Sequence, residues 1–195
     1  LESEIIFPNV LNLCCGVTGS FRPDFITSSV FGMHSAKDTL PYDTTWPTSD
    51  YADLRIVAIK DAGSVTDAKF KLTSSLAGIP DLTSSYFKDV YDNTKWNIAV
   101  RVINEKYPIG NFVTGAAFSG AFGSAAATPY RVEFYGVSTD LDIIRNDFYL
   151  TGTLSNSTAI NLLRSAKRVF GGAHRTNFTG SEVQQSSDVK LSSVR

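Results

Sequence analysis

This chain is poor in the residues that most often announce chemistry. It has two cysteines, two histidines and one methionine. The cysteines are adjacent, Cys14 and Cys15. Neighbours on an extended chain point to opposite faces, and an ordinary disulfide between them is strained. Two free thiols are therefore expected, and without a disulfide framework no oxidising compartment is implied. His34 and His174 show no paired-ligand spacing with the cysteines, so zinc has no support. The chain also lacks an apolar run of about 20 residues, the length a membrane span requires. Charge of one sign is missing as well: 18 Lys and Arg face 19 Asp and Glu. A nucleic-acid surface needs a clustered positive excess. Arg164, Lys167, Arg168 and Arg175 form the one local concentration, which reads as a solvated basic edge.

Catalytic patterns are absent in the same way. There is no Gly-x-Ser-x-Gly elbow, and His174 has no sequence-local partner to fix its tautomer. Glycoside hydrolysis needs two carboxylates across the scissile bond, which on a strand fall two or four positions apart. Glu133 is the best-placed acid, yet its neighbours at those spacings are Arg131, Tyr135 and Val137. Asp140 and Asp142 are two apart, but "STDLD" reads as a polar turn. Calcium takes six to eight oxygens from acidic loops. The stretches 43–53, 61–67 and 140–142 are acidic without the twelve-residue helix-loop-helix spacing and read as solvated loops. Asn156-Ser157-Thr158 and Asn177-Phe178-Thr179 fit the glycosylation acceptor pattern, which is short and common by chance.

What the sequence does have is period-two alternation. "DLRIVAIK" sets Leu54, Ile56 and Ala58 on one face, and "DAKFKLTS" sets Ala68, Phe70 and Leu72 inward with Lys69 and Lys71 outward. "KWNIAVRVI" places Trp96, Ile98, Val100 and Val102 on one side. "YRVEFYGVS" does the same with Tyr130, Val132 and Phe134. Shorter strands are predicted over 4–7, 26–35, 143–150, 168–173 and 188–195. Turn residues separate these runs, and no long helices intervene, which predicts an all-β antiparallel sandwich in a single domain over 1–195. One exception is "STAINLLRSAK", whose helical spacing after Ser155 and Ser157 predicts a short helix near 157–166. Two stretches read as loops: 34–53, with its prolines and acids, and the Gly/Ala/Ser-rich 110–129, which carries Phe112, Phe118 and Phe122. Both ends read as if cut from a longer polypeptide.

The succession "EIIFP", "VFGMHSA", "DLRIVAIK", "KWNIAVRV", "YRVEFYGVSTDLDIIRNDFYLTG", "KRVFGGAHRTNFTG" and "SDVKLSSVR" resembles a concanavalin A-like, laminin-G-type jelly roll. The likeness runs from about Glu4 to the end. In it Trp96 to Val102, Val169 to Ala173, a polar turn over Thr176 to Gly180, and Val189 to Arg195 take the places of successive sandwich strands and turns. The wording "GAHRTNFTG…SDVKLSSVR" is similar to modules in large structural proteins of bacteriophage virions. The resemblance implies a non-enzymatic structural or adhesion module located in the virion. Its implied partners are other particle subunits, including copies of itself, and a host-surface glycan. An alternative is a carbohydrate-binding, lectin-like module of a secreted or cell-surface protein, with calcium assistance open but carried by no specific motif; a third reading is a degenerate glycan hydrolase. The Glu-x-Asp-x-x-Glu strand of the family's glucanases is absent, so neither activity nor cofactor is expected. Phe112, Phe118 and Phe122, with His174 and Arg175 at a sheet rim, are the expected partner contacts. Deleting 114–125 is expected to leave the domain folded while stopping assembly.

Overall fold

A computed structural model describes residues 1–9, 27–35, 52–61, 63–64, 66–104, 130–164, 167–172, 174–175, 183–184 and 189–194. In chain order the elements are β1 (Glu2–Phe7), β2 (Thr27–Ser35), β3 (Leu54–Lys60), β4 (Ala68–Thr73), β5 (Leu82–Thr83), β6 (Thr94–Asn104), β7 (Tyr130–Asp140), β8 (Ile143–Leu154), α1 (Asn156–Arg164), β9 (Lys167–Gly171), β10 (His174–Arg175), β11 (Val183–Gln184) and β12 (Lys190–Val194). They build two five-stranded sheets, ordered β12-β1-β6-β7-β8 and β5-β4-β3-β2-β9, with β10 and β11 paired separately. Every pairing is antiparallel. The fold is an all-β sandwich with one short helix among the described residues.

Alternation in the sequence becomes two facing apolar layers. From the first sheet come Ile5, Phe7, Trp96, Ile98, Val100, Val132, Phe134 and Phe148; from the second come Phe31, Leu54, Ile56, Ala58, Phe70 and Leu72, all in one buried cluster. Tyr130 packs against its margin. Phe70 links the layers: its ring centroid lies 4.8 Å from Trp96 and 5.6 Å from Phe148. Full burial of side chains of this size stabilises the fold by about 1.5–3 kcal/mol each. Gly136 is required opposite Phe148, because a Cβ there would come within 2.5 Å of the ring.

The helix closes one end. Ser155 caps it, accepting a hydrogen bond from the Thr158 N–H at 3.1 Å, and Ala159 and Leu162 turn into the core beside Ile79. At the opposite end β7 and β8 join through Leu141 and Asp142, both at positive φ (50° and 63°), as a two-residue type I′ turn demands. β9 ends at Gly171, followed by Gly172 at φ 71°, whose N–H still donates to the Val30 carbonyl at 2.8 Å.

Three expectations need correction. The predicted loop over 34–53 begins inside β2, where His34 is buried and stacks on Phe170 at 6.2 Å. Asp53, at its other end, is fully buried rather than solvated, and Lys167 donates to it at 2.7 Å. Lys167 therefore leaves the solvated basic edge: a carboxylate taken out of water at this depth requires a close cation. The "STDLD" turn exists with Asp140 and Asp142 exposed, but it is not wholly polar, because Leu141 is 88% exposed and Ile143 and Ile144 are also bare.

Candidate functional site

Period two sends every second residue of β6, β7 and β8 to the side of the sheet away from the core. Register then decides which of them meet. Arg101 stands opposite Glu133, Glu133 opposite Thr151, and Tyr135 opposite Tyr149. The centre of the face thus sets two arginines, two tyrosines and a threonine around Glu133.

Glu133 is the centre of it, and its side chain is 0% exposed although it points outward. Its cover is supplied by neighbours. Arg131 Nε donates to Oε1 at 2.8 Å, Arg101 Nε donates to Oε2, and the Tyr149 hydroxyl donates to Oε1 from a diagonal position. Burial works to raise the carboxyl's pKa, but the hydrogen bonds from Tyr149, Arg101 and Arg131 outweigh it and hold the group below the ordinary glutamate value. The partners respond in kind: the hydrogen bond to Glu133 raises both Arg101 and Tyr149. Glu133 is held ionised, and both of its oxygens are occupied.

A second polar rung crosses the same face, where Ser192 Oγ donates to Glu4 Oε1 at 2.7 Å and Lys95 Nζ meets Glu4 Oε2 at 2.7 Å. The two rungs lace the sheet on its wet side. Chemically, the central patch offers guanidinium heads and phenol rings to a ligand. Arg101 and Tyr149 are both more than half exposed.

The residues picked from sequence as partner contacts fall elsewhere. Phe112, Phe118 and Phe122 lie outside the described residues. His174 and Arg175 form β10, pairing with Gln184 and Val183 of β11, which places their backbone in a small separate ladder. The acids at 61–67 are engaged locally: Asp67 Oδ1 accepts from the Asp89 N–H at 3.0 Å. Among the described residues no three His, Cys, Asp or Glu side chains gather where a metal could sit, and no helix is long and apolar enough to cross a membrane. In the sequence Glu133 stands out as an acid but lacks a second carboxylate at strand spacing. What sequence reasoning misses is the strand register that brings Arg101 and Tyr149 onto it, although the flanking Arg131 is a visible sign of an ion pair.

No family model, no curated protein and no solved structure matches this chain.

Proposed function

We propose that this chain is a non-enzymatic adhesion and structural module of a bacteriophage virion protein, with a concanavalin A-like, jelly-roll sandwich as scaffold. The observation that supports a binding role is the state of Glu133. The acid best placed for chemistry is spent as an ionised acceptor that fixes two arginines and a tyrosine in position. A preorganised array of this kind loses little side-chain entropy on engaging a ligand. The virion placement rests on the sequence resemblance alone, and host-surface glycan and neighbouring particle subunits are the partners it implies.

A lectin-like module of a secreted or cell-surface protein is the second reading, favoured by Tyr135 and Tyr149 standing side by side on an open sheet face. Phenol faces stack on sugar rings, and guanidinium groups donate to their hydroxyls and acidic substituents. The experiment common to both is binding of the purified protein to a panel of bacterial and animal glycans, with the double variant Arg101→Ser, Tyr135→Ser as control. Binding that falls at least tenfold in that variant while its melting curve persists supports the face as the site. Glycan cleavage that disappears in Glu133→Gln would overturn the non-enzymatic reading. Equal binding by variant and wild type would move the site off this face.

A further inference from the structure

The β7–β8 turn combines two features that stability alone would remove. Leu141 occupies the left-handed region at φ 50°, where asparagine or glycine fits without strain, and it is almost wholly in water. Beside it Ile143 and Ile144 are both more than half exposed. Successive strand residues point to opposite sides, so their joint exposure means the hairpin extends past the end of the core. The tip is a convex apolar knob. Its charge is one-sided: residues 140–147 carry Asp140, Asp142 and Asp147 against Arg145 alone, and Arg145 is tied to Asp140 at 3.0 Å. An acidic apolar knob is repelled by an anionic membrane surface and complements an apolar patch edged with cations.

This chain carries such a patch at its other end. Leu163 and Val169 are both more than half exposed, and residues 163–170 include Arg164 and Arg168 with no acid of their own, while the Lys167 charge is taken up by Asp53. Arg164 is the last residue of α1, and Lys167 opens β9, the outermost strand of its sheet. Only three chain steps separate them, at most about 11 Å. Val169 pairs with Met33, and Met33 with Leu54 at the start of β3, at the end of the sandwich that α1 closes. The tip is remote from it. β8 spans about 36 Å from Ile143 to Leu154 at roughly 3.3 Å per residue, and α1 can return only about 13 Å of that at 1.5 Å per residue. Knob and patch therefore cannot meet within one copy.

We infer that the β7–β8 tip of one copy docks on the α1–β9 patch of a second copy of this chain, head to tail, with Leu141 as the inserted side chain and Asp142 facing Arg164. Such a contact uses two different surfaces, so it repeats and gives rings or filaments rather than a closed pair. Five apolar side chains cover well under the roughly 800 Å² per partner typical of stable complexes. The contact is accordingly weak in dilute solution and cumulative in an array. It does not depend on the Arg101–Tyr149 face, and glycan binding and self-association can each fail without the other.

The test is sedimentation velocity of the purified protein from about 10 µM to about 1 mM, a range that brackets a weak contact. Wild type should show a concentration-dependent rise in mass that fades with added salt. Leu141→Asn should weaken association at least tenfold and at the same time raise the melting temperature by a few degrees, because it removes the strain at this turn; a folding defect would move both readouts the same way. Arg164→Glu should also weaken association, and combining it with Asp142→Lys should restore it. A wild-type chain that stays monomeric throughout overturns the inference. So does an unchanged profile for Leu141→Asn, or a charge-reversed pair that fails to recover.

Discussion

Glu133 illustrates how a single side chain can be outward-facing and still dry. Its strand partners supply the cover, and the same partners keep it ionised. The consequence for stability follows from the direction of the shift. A carboxyl whose folded pKa lies below its unfolded one adds stability above the unfolded value, and that contribution is lost as pH falls through the folded value. Wild type should therefore be more stable than Glu133→Gln in urea at pH 7, with the gap narrowing once pH drops below about 4.3, the ordinary glutamate value. A gap of equal size at pH 7 and pH 3 would mean that charge plays no part. Salt should narrow the gap too, because the Arg101 side chain is more than half exposed.

Elements differ in how openly the sequence announces them. β3, β4, β6 and β7 could be read as strands because apolar residues recur at every second position; β4 alternates cleanly, whereas β3, β6 and β7 also bury Val57, Ala99 and Glu133 on their second face. β8 could be read only in part. The alternation is visible to Leu150, whereas the strand runs on to Leu154 through "TGTL", where Gly152 interrupts the apolar set. The reason for that glycine is tertiary: a Cβ there would strike Pro80 at 2.3 Å. α1 was legible from its spacing and its cap, although it starts one residue before and stops two residues before the predicted span. Replacing the cap, Ser155→Ala, should cost about 1 kcal/mol, read as a lower urea midpoint. An unchanged midpoint would mean that packing of Ala159 and Leu162 alone holds the helix. The candidate site was the least legible part, because it depends on which residue of β6 stands beside which of β7 and β8. Register is a property of pairs of strands, and each strand read singly does not contain it.

At the scale of the whole molecule, the sandwich depends on continuity between its layers. Trp96, Ile98 and Val100 from β6 and Val132 and Phe134 from β7 share one buried cluster with residues of the facing sheet, as their common parity required. Val100→Asp would place a carboxylate among these apolar side chains. The expected cost is several kcal/mol, comparable with the total stability of a typical domain. The variant should lack the cooperative melting transition of the wild type in circular dichroism; a near-normal melting curve would show that β6 faces the other way.

The pairing of β1 with β12 has a mechanical meaning. Ser3 lies across from Val194 and Ile6 across from Lys190, so two stretches from opposite ends of the sequence run side by side in one sheet. Tension applied between residues 3 and 194 meets their inter-strand hydrogen bonds one at a time, starting from the pulled end, and peels β12 away like a zip. Shearing geometry, in which all the bonds resist together, is not available to this pair. The domain would thus yield early along that axis while remaining stiff to forces borne across its faces, where the Glu133 and Glu4 rungs tie neighbouring strands together.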